Sequence, residues 1–277
     1  MGPELTPAGG EHASESKCRR VKSLGQLLEK IGQRISALGY VWQHPSYTEV
    51  RHNEGARDLF RLLNKPWLRP ESIGTVLDVG ANEGQFIKVA QVLFPQASIL
   101  AFEPNPHLAR SLQSLLSARG NGAVLPIACG RESATMPLHL TKFSPAASLL
   151  RPTALHIPGF PSLKTEETIE VRVERLDHAV QASPLGRPPH LLKIDVQGFE
   201  LEVLQGSIGI LPDVAVILCE VNAVPFYAGQ AGFEQIYGFL HQHNFRLVDI
   251  GEPIRAQAAG EVLYFDVAFL KTGAGGA

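Results

Sequence analysis

The chain reads as an α/β protein with a doubly wound, mostly parallel sheet and helices on both faces, and three observations predict it. From residue 73 onward, short apolar runs alternate with helical periods, the order that builds a parallel sheet with crossover helices. The first run, residues 75–79, leads directly into Gly80-Ala81-Asn82-Glu83-Gly84 ahead of a helical pattern, which is where such sheets open a ligand crevice. Three later runs end in carboxylates, at Glu103, Asp195 and Glu220, while Asp78 stands on the first run. In an open α/β sheet all of these project toward one crevice at the carboxyl ends of the strands.

The elements follow in order. Residues 1–22 are rich in Gly, Pro, Glu and Ser with few large apolar groups, the composition of a disordered tail. Leu24, Leu27, Leu28, Ile31, Ile35 and Leu38 recur at helical spacing up to Gly39. This stripe suits packing on the domain first, then covering the site or making a homodimer contact. A second helical stretch spans residues 57–63, so residues 23–70 form a helical accessory segment before a main domain at 71–272. Within that domain, strands are expected at 75–79, 98–103, 123–128, 191–195 and 214–220, with helices at 108–116 and 233–243. Residues 245–250 and 263–270 read as a closing antiparallel pair. Shorter strand segments at 138–140 and 170–173 flank a Pro-rich loop, residues 144–162, long enough to serve as a lid or substrate wall.

Gly80 can take a positive φ or admit close backbone approach, and Gly84 would let the first helical turn sit near the sheet. The spacing is G-x-x-x-G, not the G-x-G-x-x-G that cradles a pyrophosphate, and Lys88 stands near where a third small residue would be wanted. This favours a nucleoside ligand without phosphates, S-adenosylmethionine (SAM) first. Glu103 is placed to accept hydrogen bonds from ribose hydroxyls; the plainer alternative is a helix cap. Ala128, Cys129 and the following turn lie at the ligand edge, where a backbone amide could read adenine.

Charged residues at the end of a buried strand are costly unless paired or used in a site. Lys193 and Asp195 are two apart and share a strand face, and Glu200 opens the next helix, where its charge suits the dipole. With Asp78, Gly80 and Asn82 toward the methionine end of such a ligand and Glu103-Pro104 at its ribose, Asp195 and Glu220 remain near its sulfonium. Asp195 is the first choice for the base, tuned by Lys193, and Glu220 the second. Asp195 with Glu220 would also suit Mg²⁺, although no dense ligand cluster accompanies them. His156, His178 and His190 read as surface or packing residues rather than catalysts.

Leu77-Asp78-Val79-Gly80-Ala81-Asn82-Glu83-Gly84, Phe102-Glu103-Pro104-Asn105 and Lys193-Ile194-Asp195-Val196-Gln197-Gly198-Phe199-Glu200 together resemble the FkbM family of SAM-dependent methyltransferases. Ile127-Ala128-Cys129-Gly130, Ala147-Ser148-Leu149 and Val173-Glu174-Arg175-Leu176-Asp177 agree with it, and the likeness covers residues 70–270. One departure is Gln197, where the family usually carries Glu. The resemblance implies a Rossmann-like class I methyltransferase fold, with a seven-stranded sheet and an antiparallel last strand. It also implies SAM as cofactor and a small-molecule or glycan hydroxyl as acceptor. An acceptor pocket is expected from the 144–162 loop with Asn222, Phe226 and Tyr227. Two other readings remain. One is an NAD-dependent oxidoreductase, opposed by the missing third glycine and the Lys193 motif. The other is a catalytically degenerate nucleoside-binding interaction protein, opposed by the intact Asp78, Gly80, Gly84, Glu103 and Asp195 but kept open by Gln197.

Composition agrees with one enzyme-sized domain: 277 residues, 44% hydrophobic, suffice for a full core. A net charge of −2 gives no basic excess, so nucleic-acid binding is not expected. Cys18, Cys129 and Cys219 are odd in number and far apart, as free thiols in a reducing compartment would be. The absence of an apolar run of about eighteen residues, and of a signal-peptide core, predicts no membrane span and a cytoplasmic location.

Overall fold

A computed structural model describes residues 31–32, 39–117, 120–142, 144–158, 160–257 and 259–273. The chain divides into two compact units, Met1–Glu49 and Val50–Ala277. In the first, residues 39–43 are helical, and the Tyr40 ring meets those of His44 and Tyr47 at centroid distances of 4.3 and 4.9 Å. Gly39 therefore lies within a helical segment and does not close one. The expected tail at 1–22 and, apart from Ile31, the leucine-rich stripe of residues 24–38 lie outside the described residues.

Helices α1 (Ser46–His52) and α2 (Arg57–Leu63) precede the sheet in the chain. There follow β1 (Thr75–Val79), α3 (Gln85–Leu93), β2 (Ser98–Phe102), α4 (Pro106–Ser117) and β3 (Gly122–Leu125). Next come β4 (Ala128–Cys129), β5 (Ala134–Thr141), β6 (Thr165–Glu174), α5 (Leu176–Gln181), β7 (His190–Ile194) and α6 (Glu200–Gln205). The chain ends with β8 (Val214–Asn222), α7 (Phe233–Gln242), β9 (Phe245–Ile250), β10 (Ile254–Arg255) and β11 (Val262–Lys271). The main sheet has the order β10-β11-β8-β7-β1-β2-β3, with β9 also paired to β11. Strands β3, β2, β1, β7 and β8 run parallel, and β11 is antiparallel to β8 and β9. The expected seven-stranded sheet with an antiparallel last strand is present, and two-residue β10 adds an edge.

Strands β1 and β7 are buried at every position, as central parallel strands covered on both faces must be. Their side chains Leu77, Val79, Leu192 and Ile194 join Ile217, Val267 and Phe269 in the main core. The third strand is shorter than expected. It ends at Leu125 because Pro126 has no N–H to give a ladder, and Ala128–Cys129 turns away into a separate sheet, β4-β6-β5. In that small sheet β5 and β6 reach well beyond the apolar segments at 138–140 and 170–173, and most of the added positions are exposed, so they carry no buried apolar pattern. Two isolated bridges, His139 to Ser148 and Pro152 to Tyr227, pin the loop that follows β5.

Candidate active site

The turn after β1 is set by backbone crowding. Gly80 has φ 78°, and a Cβ there would stand 1.9 Å from the Asp195 carbonyl oxygen, so the loop leaving β7 passes directly against it. Gly84 also has a positive φ, but a Cβ on it would meet Leu112 and Leu115 of α4 at 2.8 and 2.9 Å. It therefore permits close helix–helix packing, not the helix–sheet approach expected from the sequence. The amides of Gly80 and Ala81 donate to the Phe102 carbonyl, stitching the β1 turn to the end of β2.

Glu103 completes that seam. Its Oε2 accepts from the Asn82 amide and its Oε1 from the Asn105 amide, both at 2.8 Å. Burial pushes this carboxyl above its ordinary value, and the two amides partly offset the shift. Asn105, not Glu103, caps α4, through Oδ1 and the His107 amide. Each Glu103 oxygen keeps acceptor capacity beyond its one amide.

Beneath the turn lies an ion pair made by strand register. Asp78 stands opposite Lys193 on adjacent β1 and β7. Lys193 Nζ lies 3.2 Å from Asp78 Oδ1 and 3.6 Å from Asp195 Oδ2, and donates to the Gly80 carbonyl at 2.8 Å. Asp78 is 0% exposed and Lys193 6%. Burial would lower the lysine, but the Asp78 and Asp195 carboxylates outweigh it and hold the ammonium above its ordinary value. Burial raises Asp78, with Lys193 only partly compensating. Neither residue lines either of the two cavities above the pair, which sits as a floor beneath Gly80 and Asp195.

Two cavities meet above this floor. The first, about 660 Å³ and open to solvent, is lined by Gly80, Asn82, Glu103, Pro104, Ala128, Cys129 and Asp195. Phe102, Leu108, Ile127 and Phe199 add apolar walls, and Ser144, Pro145 and Ala147 to Leu149 close it from the long loop. Ser144 Oγ donates to Asn82 Oδ1 at 3.1 Å, tying that loop to the glycine turn. The second, about 460 Å³, is lined by Asp195, Gln197, Glu220, Asn222, Phe226 and Tyr227 with Phe160, Leu163 and Tyr264. Pro145, Asp195 and Gln197 line both.

At the junction the Gln197 amide nitrogen donates to Asp195 Oδ1 at 2.8 Å and to Glu220 Oε1 at 2.7 Å. Glu200, buried at the start of α6, accepts from the Val196 and Gly198 amides and so fixes the loop carrying Gln197. Burial pushes Glu200 up to about 7 despite those amides. Glu220 rises well above the usual carboxylate range through burial, then through Asp195, Asp266 and Glu200. Asp266, opposite Glu220 across β8 and β11, is likewise pushed up to about 7, by burial first and Asp195 second.

The structure thus brings Gly80, Asn82, Glu103, Pro104, Ala128, Cys129 and Asp195 to one cavity wall and Glu220 to the adjoining one. Asp78, Lys193 and Gly84 sit behind the walls. Sequence reasoning missed the bridging role of Gln197, the loop-holding role of Glu200, and Tyr264 and Asp266 on β11. The last two carry no local signal, because only antiparallel pairing to β8 delivers them. No histidine among the described residues lines either cavity, and His190 is buried at the foot of β7. Among the described residues no group of three or more His, Cys, Asp or Glu is arranged to hold a metal ion. No helix among them is long and apolar enough to cross a membrane.

Sheet order and cleft position define a Rossmann-like class I methyltransferase fold. Residues 78–247 match the methyltransferase FkbM domain, and the chain belongs to that family. It is 28% identical over 174 residues to the hexuronic acid methyltransferase AglP of Haloferax volcanii, covering 63% of this chain and 65% of that protein. It is 24% identical over 220 residues to the 2-O-methyltransferase NoeI of Sinorhizobium fredii, covering 77% and 86%. The chain thus spans just under two thirds of the first of these relatives. Among solved structures, the methyltransferase FkbM from Methylobacillus flagellatus aligns at 13% identity with a TM-score of 0.46, over 73% of this chain and 44% of that one.

Proposed function

We propose that the protein is a SAM-dependent O-methyltransferase acting on a hydroxyl of a sugar, glycan or similar small molecule. The observation that carries this reading is the junction of the two cavities at Asp195. One cavity has a wall that suits a nucleoside: the Glu103 carboxylate with acceptor capacity to spare for ribose hydroxyls, the close-packed Gly80 turn and apolar walls. The acidic surroundings of Asp195 suit a ligand bearing a positive sulfonium. SAM, when bound, supplies an electrophilic methyl group. The protein's work is then to align the acceptor and remove its proton.

The second cavity suits a polyhydroxylated ring. Phe160 and Phe226 stack at 5.1 Å, with Tyr264 edge-on to Phe160, and face a floor of Asp195, Gln197, Glu220 and Asn222. Flat apolar walls over a dense polar floor match the two surfaces of a sugar. The named acceptors of two relatives, a hexuronic acid and a 2-O position, support the same class. Asp195 is assigned as the base and Glu220, whose carboxyl burial raises well above the usual range, as an acceptor-binding partner.

The test is transfer of labelled methyl from SAM to a panel of hexuronates, hexoses and their glycosides. Asp195→Asn should retain SAM affinity while turnover falls about 10²–10⁴-fold. Near-normal turnover in that variant would remove Asp195 as the base, and labelling of none of the panel would remove sugars as the acceptor class.

A further inference from the structure

Gln197 uses every polar group of its side chain. Both amide protons go to carboxylates on different elements, Asp195 at the end of β7 and Glu220 on β8. Its Oε1 accepts from the Tyr227 phenol at 2.9 Å, and its backbone carbonyl from Ser148 Oγ at 2.7 Å. The residue holds φ 58°, a conformation that a non-glycine side chain adopts only when its surroundings dictate it. Three separate segments therefore converge to keep one amide between two carboxylates, where both cavities meet.

An amide nitrogen donates and cannot accept. Two carboxylates facing each other share a proton and titrate as a pair, whereas two carboxylates facing one NH₂ group have no such path. Other charges crowd the same place: Lys193 from β7 with Asp78 from β1, Asp266 from β11 and Glu200 from α6. The Tyr227 and Tyr264 phenols face it from the β8–α7 loop and β11. With that much negative charge nearby, a direct Asp195–Glu220 contact would hold a proton where a base is needed.

We propose that Gln197 is a positioning residue that insulates Asp195 from Glu220, so that Asp195 meets the acceptor hydroxyl as an unshared base. The inference rests on the methyl-transfer reading for its purpose and on the hydrogen-bond geometry for its substance. Gln197→Glu keeps the shape and replaces the donor by a third carboxylate. Tyr227→Phe keeps the amide but removes the phenol that fixes its orientation.

The experiment is a pH titration by ¹³C NMR of the full chain labelled at Asp and Glu side-chain carboxyls. The Asp195 and Glu220 signals are assigned with Asp195→Asn and Glu220→Gln. The reference is the Asp195 signal of the unsubstituted protein, followed over the same pH range. In Gln197→Glu it should titrate in coupled steps and move upward by roughly one pH unit or more. Tyr227→Phe should shift it in the same direction by less. An Asp195 curve unmoved in a folded Gln197→Glu protein overturns the proposal; should that variant not fold, an unmoved curve in Tyr227→Phe overturns it instead. The titration needs neither SAM nor acceptor, so shifted curves in a protein that binds no SAM sink the methyl-transfer reading alone.

Discussion

The two halves of the crevice are built by different means. On the β1–β2 side, backbone groups do most of the work: Gly80 and Ala81 amides on the Phe102 carbonyl, and Asn82 and Asn105 amides on Glu103. On the β7–β8–β11 side, charged side chains from four elements are packed around Lys193 and the Gln197 amide. The first half is a mould of hydrogen-bonded backbone, of the kind that fits a ligand of fixed shape. The second half is an electrostatic balance, tunable by one residue, as a site for proton removal requires. On the proposed methyl-transfer reading, the difference predicts that cofactor binding and acceptor chemistry can be perturbed separately.

The sharpest way to break the comparison is at Lys193. Lys193→Met leaves the wholly buried Asp78 without its cation and should cost about 3–5 kcal/mol of stability, read as a lowered urea midpoint. Adding Asp78→Asn should recover part of that loss. A single-variant cost below about 1 kcal/mol would mean that the pair does not brace the floor.

Next comes the charge balance itself. Glu200 has its carboxyl raised from the ordinary 4.5 to about 7 in the folded chain. The folded state then holds the proton longer than the unfolded one, so this group's share of stability is present at low pH and is lost as pH rises from about 4.5 to about 7. That share is about 3 kcal/mol at most. Glu200→Gln, which keeps an acceptor for the two loop amides, should give a shallower fall in urea midpoint between pH 5 and pH 7.5. An unchanged slope would place the raised carboxyl elsewhere.

The smallest effect belongs to the mould. Glu103→Ala should weaken SAM binding by about 1–3 kcal/mol, by removing a charge-assisted acceptor. Unchanged affinity would move the ribose contact away from Glu103.

The same division explains what was legible in the sequence. Gly80, Asn82 and Glu103 could be found because a strand, a glycine turn and an acidic strand end are local patterns with fixed spacing. The parallel order of the sheet followed from the alternation of apolar and helical periods. Lys193 was noticed as an expensive charge on a buried strand, but its partner Asp78 lies 115 positions earlier and meets it only through register. The sequence places Asp78 at the ligand, whereas in the fold its side chain is wholly buried against Lys193. Gln197 read as a departure from a family pattern, and only the fold shows its amide between two carboxylates. The end of β3 at Leu125 was missed because apolar residues continue past Pro126 into a different sheet.

The central claim is that the mould beside Glu103 takes SAM, and calorimetric titration of the full chain tests it most directly. Saturable, micromolar binding of SAM and of S-adenosylhomocysteine is expected, with no binding of NAD⁺ or NADH. Binding of NAD⁺ or NADH in place of SAM, or no binding of SAM at all, would contradict it.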